Sequence, residues 1–367
     1  MAVLPPGFRL GLDASLADER TTGIGLVARE LGLAHERAGM VVTRIGAQRS
    51  GDVTRGRANR TLWTLASLPR VLEQQQVDVF HALNNFNLPL LHPGRPRLVL
   101  TVHDVIPLDL PETASRKFRW QFRLWLGRSV KVADKVVCVS EATRSGLLRH
   151  FEVPAHKLAV IPNGVDHVER APKADATTAA WIDTLALKEH VVLYAGALDA
   201  RKNVGLVVDA CSELAARGAR VTLLVVGQKW FGSTQIARQV AAAKSAGLDV
   251  RLLGYLADPV FFALMKRATV FVFPSKMEGF GLPPLEAMWL GTPTIVSDVG
   301  ALPEVCGDGA LKVRPDDPQG LATLLEELFA SPQKRAALAK AGMKQARKFT
   351  WDAVARQYAQ VYAEALE

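Results

Sequence analysis

Two glutamates, Glu278 and Glu286, stand eight positions apart in the stretch Glu278-Gly-Phe-Gly-Leu-Pro-Pro-Leu-Glu286. The β-branched and aromatic run before them, Thr269 to Phe273, predicts a buried strand ended by Pro274 and Ser275. Gly279 and Gly281 let backbone come close to a ligand, and Pro283 and Pro284 suit the opening of a helix, which places Glu286 in its first turn. Gly291 with Pro293 closes that helix before a second strand, Thr294 to Ser297. A helix start offers free N–H groups and the positive end of a dipole, which suits a phosphate group. Carboxylates beside such a site repel phosphate, so both glutamates are read as acceptors for hydroxyl groups. A ligand with phosphates and many hydroxyls is a nucleotide sugar. The plainer alternative is that Glu286 only favours a helix start and Glu278 is a solvated loop charge.

Three other stretches carry chemistry. After the strand Val191 to Ala195 comes Gly196-Ala-Leu-Asp-Ala-Arg201-Lys202-Asn203, which sets cations at the carboxyl end of a strand. Arg supplies a two-pronged donor set and Lys a point charge, which suits a diphosphate. The strand Arg97 to Val102 ends in His103-Asp104, a polar and ligand-facing address unless backbone groups simply satisfy the imidazole. Asn84, Asn85 and Asn87 follow the strand Val77 to His81 and either line a cleft or make turns. Gly23 to Ala28 fits G-x-G-x-x-A, but a dinucleotide fingerprint should follow its strand at once and meet an acid about 20 residues on. Here a loop intervenes and the distant position offers Arg44.

The motif from Glu278 to Glu286 resembles the Glu-x7-Glu motif of retaining family 4 glycosyltransferases. The resemblance extends through Gly291-Thr-Pro293 and Ser297-Asp-Val-Gly-Ala-Leu-Pro-Glu304, and to Leu158–Asp166 with its Asn163-Gly164 turn. It covers nearly the whole chain and implies an α/β protein of GT-B fold, two doubly wound Rossmann-like domains facing across a cleft. It implies that Gly23 and Gly25 close over the donor diphosphate and acceptor, and that Gly196, Arg201, Lys202 and the backbone of Gly279, Phe280, Gly281 and Leu282 hold the donor. Tyr255 and Leu256 sit where relatives hold the base. Glu278 would fix sugar hydroxyls, Glu286 would accept from the ribose, and His103 would contact the transferred sugar. Glu278, His103, Lys202 and Arg201 form the implied catalytic set, with Asn84, Asn85 and Asp104 toward the acceptor. Many members carry Arg directly after the first glycine and Glu before the Lys, where this chain has Ala197 and Arg201, so Lys202 is the firmer of the two cations. The Arg-Lys-Asn version resembles bacterial polysaccharide mannosyltransferases and points to GDP-mannose. No metal or other cofactor is expected, because the cations replace a divalent ion.

These residues need two domains to position them, and 367 residues suffice for two of roughly 150 to 200 each. The expected division is 1–168 for acceptor and 169–350 for nucleotide sugar, with helix 351–367 crossing back onto the first. Hydrophobic content of 49% and 22% charged residues describe an ordinary globular chain. No run of about 18 apolar residues appears, and no signal peptide is evident at the N-terminus. Cys138, Cys211 and Cys306 are isolated and read as reduced buried thiols, which suits a cytoplasmic protein.

Of the net charge of +9, most lies early: residues 1–170 hold 23 Lys and Arg against 16 Asp and Glu, and the remainder 22 against 20. Nucleic acid, an anionic membrane or a polyprenyl diphosphate acceptor each fit that bias, and so does a general need for solubility. With the family resemblance, nucleic acid drops out. The expected partners are a nucleotide sugar and a lipid-linked or oligosaccharide acceptor, at the inner membrane face. The stretch 115–131 predicts a helix with Phe118, Phe122, Trp125 and Leu126 on one side and Arg116, Lys117, Arg119, Arg123, Arg128 and Lys131 around it. It reads either as a membrane-surface helix or as an aromatic stripe packed on the sheet. A mobile basic loop with Arg49, Arg55, Arg57 and Arg60, a linker over 168–186 and Lys229-Trp230 at a cleft rim complete the expectations. An epimerase of the same architecture, or a sugar-nucleotide-binding protein without catalysis, stays open beside the transferase reading.

Overall fold

The computed structural model describes residues 4–16, 23–46, 63–89, 91–227 and 234–367. Residues 17–22 of the polar loop expected over Leu16 to Thr22, the arginines at 49–60 and Lys229-Trp230 lie outside the described residues. The chain divides into two units, Met1–Gly164 with Thr350–Glu367, and Val165–Phe349.

The first unit is built on β1 Arg9–Asp13, β2 Val41–Ile45, β3 Val79–Ala82, β4 Arg97–Val102, β5 Lys135–Cys138 and β6 Leu158–Val160. They form one sheet in the order β2-β1-β3-β4-β5-β6, parallel throughout. The second unit holds β7 His190–Ala195, β8 Val221–Val226, β9 Asp249–Gly254, β10 Val270–Phe273, β11 Thr294–Ser297 and β12 Leu311–Val313. Their order, β12-β11-β10-β7-β8-β9, is likewise all parallel. Parallel strands are covered by helices on both faces, which is why β10 reads as an unbroken apolar run, β8 as one broken only by Thr222, and both are buried throughout. In the second unit Val192, Val207, Leu223 and Leu325 belong to one core; in the first, Leu72, Phe80, Leu100 and Leu126 do.

Both orders reverse direction once. In the first sheet the reversal falls between β1 and β3, in the second between β7 and β10. Loops leaving the carboxyl ends of such neighbouring strands diverge to opposite faces and leave a crevice, so ligands gather there.

The helix Trp351–Leu366 belongs to the first unit and buries Trp351, Val354, Tyr358 and Tyr362 against it. A chain of buried polar groups fastens it. The Tyr358 hydroxyl lies 2.8 Å from Thr101 Oγ1, which lies 2.7 Å from His81 Nε2. His81 Nδ1 meets the Tyr362 hydroxyl at 2.8 Å, which reaches His35 Nε2 at 3.0 Å. Burial holds His35 down to about 3 and His81 well below its ordinary value, so both are neutral at physiological pH. Arg37–Asp352 and Lys135–Glu364 pair at the rim.

Several expectations need correction. The stretch 168–186 is not a bare linker but holds the helices His167–Arg170 and Ala176–Thr184. Asp175 caps the second of these by accepting from the Thr178 amide, a local signal overlooked beside the weak apolar pattern. The helix Arg116–Val132, capped by Ser115, turns Phe122, Leu126 and Val130 inward but leaves Phe118 43% exposed. Trp120 and Leu124, four residues apart and so on one face, are 66% and 55% exposed. The three cysteines are buried, and burial pushes their thiols up to about 12. Among the described residues no helix is long and apolar enough to cross a membrane.

Candidate functional site

In the second unit the crevice between β7 and β10 collects the residues whose chemistry stands out in sequence. The loop after β7 carries Arg201 and Lys202, and the loop after β10 carries Glu278. Lys202 Nζ donates to Glu278 Oε1 at 2.6 Å and Arg201 Nη1 donates to the same oxygen at 2.9 Å. Arg201 Nη1 also reaches the Met277 carbonyl at 2.9 Å, and the Lys276 amide donates back to the Arg201 carbonyl at 2.8 Å. The two loops are therefore stitched through both backbone and side chains.

Each loop is held by its own device. Asn203 adopts a left-handed conformation at φ 58° and donates from Nδ2 to the carbonyls of Pro274 and Pro315, at 3.1 and 2.8 Å. Asp199 accepts from the Lys202 amide at 2.8 Å. Lys202 Nζ also lies 4.9 Å from the centroid of the Phe273 ring. The other loop is backed by Gly300, in the loop after β11, which at φ 63° lies against Glu278: a Cβ there would stand 2.9 Å from the Glu278 carbonyl oxygen. Only glycine permits that approach.

Burial alone would raise the Glu278 carboxyl, but Lys202 and Arg201 outweigh it and hold the group below its ordinary value. Its side chain is 12% exposed and those of Lys202 and Arg201 are 16% and 21% exposed. The result is a fixed anion flanked by two fixed cations, which can bind hydroxyls on one side and phosphate oxygens on the other.

Gly281, at φ 111°, caps the helix Leu282–Trp289. Pro283 and Pro284 have no N–H, so the opening turn offers the amides of Gly281 and Leu282, fewer donors than a helix start usually provides. Gly279 and Phe280 are buried, and the Phe280 ring meets Phe349 edge-on at 5.9 Å. Glu286 is not in the first turn but one turn in, because the helix begins at Leu282. It is 7% exposed, and its Oε1 lies 3.0 Å from Nε2 of His167, itself 6% exposed. His167 escaped the sequence reading, which stopped at Asp166; a lone histidine opening a four-residue helix leaves no periodic signal.

The ends of β7, β8 and β9 are joined in series, with the Gly196 amide donating to the Val226 carbonyl and the Gly227 amide to that of Gly254. Tyr255, next in the chain, is 48% exposed and Leu256 is half-buried.

In the first unit Gly23 opens the helix Gly23–Arg37, exposed, and Gly25 is buried in its first turn. At the reversal between β1 and β3 lies Asp13, 4% exposed, which the sequence reading passed over as a strand end. It accepts from Asn87 Nδ2 at 2.8 Å and from the Leu83 amide at 3.3 Å, and burial raises its carboxyl despite these bonds. His103 is half-buried, with Nε2 3.1 Å from the Leu83 carbonyl, and burial lowers it to about 4. The carbonyl can only accept, so Nε2 carries the proton and the ring is neutral. The asparagines divide. Asn84 folds its side chain onto the Phe86 amide at 3.0 Å, a turn device, and the Asn85 carbonyl accepts from Ser129 Oγ at 2.7 Å. Asp104 Oδ1 accepts from the Ile106 amide at 3.1 Å. Among the described residues no group of three His, Cys, Asp or Glu side chains could hold a metal ion.

Residues 177–345 match the family Glycosyl transferases group 1, and residues 22–169 match Glycosyltransferase Family 4. The O-antigen chain mannosyltransferase B of Escherichia coli is 31% identical over 76% of this chain and 72% of its own. The MMP alpha-(1->4)-mannosyltransferase of Mycolicibacterium hassiacum is 31% identical over 79% and 71%. A D-inositol 3-phosphate glycosyltransferase of Corynebacterium aurimucosum is 27% identical over 77% and 67%. Among solved structures, the Anabaena protein HepE in complex with UDP-glucose superposes with a TM-score of 0.72 at 21% identity, covering 96% of this chain and 98% of that one. With sequence relatives of that identity and coverage, and with two parallel six-stranded sheets of GT-B type, the chain belongs to the group 1 and family 4 glycosyltransferases.

Proposed function

We propose that this glycosyltransferase is a retaining hexosyltransferase that moves mannose from GDP-mannose to a lipid-linked or saccharide acceptor in cell-surface polysaccharide synthesis. The observation that carries the reading is the meeting of Lys202 and Arg201 on Glu278 at the strand reversal of the second sheet. In this reading the two cations take the donor diphosphate, Glu278 takes hydroxyls of the transferred sugar, and Glu286 takes the ribose. The neutral His103, whose Nε2–H is held by the Leu83 carbonyl, contacts the transferred sugar, and Asn84, Asn85 and Asp104 lie toward the acceptor. The bond from the anomeric carbon to the diphosphate breaks as the acceptor oxygen attacks the same face. The acceptor proton passes to the departing phosphate oxygen, and protein charge stabilises the developing anion. Lys202 and Arg201 supply the positive charge, so no divalent ion is assigned. Mannose and GDP rest on the Arg-Lys-Asn sequence and on two mannosyltransferases among the relatives.

The helix Arg116–Val132 supports a membrane-facing role. Trp120 and Leu124 project with Arg116, Lys117, Arg123 and Lys131 around them, and the helix carries no acidic residue. Apolar side chains amid cations suit an anionic lipid surface, where a lipid-linked acceptor resides.

The test is a donor panel of GDP-mannose, UDP-glucose and ADP-glucose in EDTA, with and without polyprenyl-linked and free saccharide acceptors. Acceptor-dependent consumption of GDP-mannose, with an α-linked product by NMR, is expected. Preference for another donor overturns the GDP-mannose assignment, inversion overturns the retaining one, and donor turnover without any acceptor marks an epimerase. Binding without turnover in every mixture marks a protein without catalysis.

A further inference from the structure

The Glu286 carboxylate is nearly sealed from solvent, and a buried anion is costly unless donors meet it. The donor at Oε1 comes from outside the helix that carries Glu286. His167 stands three positions past Gly164, where the chain leaves the first unit, and is joined to Glu286 across 119 positions of sequence. A carboxylate only accepts, so the imidazole Nε2–H donates. The His167 ring is itself packed 6.4 Å from the ring of Phe262, on the helix Asp258–Arg267, at an interplanar angle of 53°. Packing therefore fixes the donor, and the donor fixes one oxygen of the carboxylate. A glutamate has three rotatable side-chain bonds, and pinning Oε1 settles the last of them and with it the direction of Oε2.

We propose that His167 is a positioning residue for the donor nucleotide: its Nε2–H holds Oε1 of Glu286 so that Oε2 is presented to the ribose hydroxyls. This rests on the assignment of Glu286 to the ribose. The chemical class recognised is thus a ribonucleoside diphosphate, and discrimination against its 2′-deoxy counterpart depends on a residue that touches neither sugar nor phosphate. A carboxylate free to rotate spreads over several directions and loses its advantage for the diol, while diphosphate contacts at Lys202 and Arg201 stay intact.

The readout is the ratio of affinities for a ribonucleoside diphosphate and its 2′-deoxy form, by calorimetry on the full chain, with GDP, UDP or ADP chosen by tightest binding. Wild type is expected to prefer the ribo form by about 10- to 150-fold, the value of one hydrogen bond to a charged group. Glu286→Gln brings the ratio near unity, which checks the ribose assignment. His167→Ala does the same, with ribonucleotide affinity lower and deoxynucleotide affinity unchanged. His167→Gln, which keeps an N–H donor, recovers part of the ratio and covers the case in which the alanine variant fails to fold. A merely structural histidine would lower the melting temperature and weaken both ligands together, and that result overturns the proposal. Retention of the wild-type ratio in His167→Ala while Glu286→Gln loses it also overturns it. Retention in Glu286→Gln refutes the ribose assignment and the positioning role with it.

Discussion

Replacing Lys202 by Met keeps the length and packing of the side chain against Phe273 and removes the charge. At the 2.6 Å separation of Nζ from Glu278 Oε1, the gross attraction is ~6 kcal/mol at an effective dielectric constant of about 20. Most of that is cancelled by the desolvation of the two ions. What a phosphate ligand would lose is one charge-assisted bond, about 1.5 to 3 kcal/mol, or roughly a 10- to 150-fold rise in Kd for the nucleoside diphosphate. A second effect works in the same direction. Without Lys202, Glu278 keeps Arg201 as its cation, and the carboxylate it no longer balances repels the diphosphate. The upper half of that range is therefore expected. Calorimetry with the tightest-binding diphosphate and with its parent nucleoside separates the causes, because the nucleoside has no phosphate to lose. Lys202→Met should leave nucleoside affinity within about twofold, and the double variant Lys202→Met with Glu278→Gln should regain part of the loss. A diphosphate Kd within twofold of wild type, or an equal loss for the nucleoside, refutes the assignment of Lys202 to the diphosphate.

Other consequences can be measured directly. Glu278→Ala should remove most of kcat while changing donor affinity less, and near-normal turnover would count against its role on the sugar. Tyr362→Phe removes the hydroxyl shared by His81 Nδ1 and His35 Nε2, leaving two buried nitrogens unpaired. A loss of about 2 to 4 kcal/mol in urea unfolding of the first unit is expected, and a loss under 1 would mean the chain of bonds carries little stability. His35 and His81 are fully buried and depressed below the ordinary 6.5, so the unfolded chain binds their protons first. Stability is unaffected by them above pH 6.5 and falls as pH drops below it, by about 2.7 kcal/mol per pH unit from the two near pH 5. A flat profile between pH 6 and 5 would show that these rings are charged in the fold. Phosphatidylserine-rich vesicles, which carry the negative surface potential of a cytoplasmic leaflet, should bind the protein at low salt, and Trp120→Ser with Leu124→Ser should abolish binding; equal recovery with neutral vesicles or with the double variant contradicts a lipid-facing helix.

Much of the fold and part of the site are written locally. Arg201, Lys202 and Glu278 follow apolar strands and sit among glycines and prolines, so their place at strand ends can be read before any tertiary contact is known. Alternation of strand and helix likewise announces two doubly wound sheets. What escapes is what depends on distant pairing. His81 and Tyr362 are 281 positions apart, and His167 meets Glu286 across 119, so neither pair has a sequence period. Asp13 looks like any acid opening a loop until β3 lies beside β1 and Asn87 folds onto it. The helix Arg116–Val132 shows a different limit. Periodicity separates its faces, yet Phe122 with Leu126 and Trp120 with Leu124 are both apolar pairs four apart, and only the sheet decides which pair is covered.

The attachment of the last helix to the first sheet inverts the order in which the two halves can mature. On a ribosome the strands of the first unit emerge first, but Thr101, His81 and His35 wait for Tyr358 and Tyr362, which are made only after the whole of Val165–Phe349. The segment Val165–Phe349, contiguous in sequence, has all its own parts earlier. It can finish while the half that was synthesised ahead of it is still open, so a stop codon in the final helix would strand the beginning of the protein, not its end.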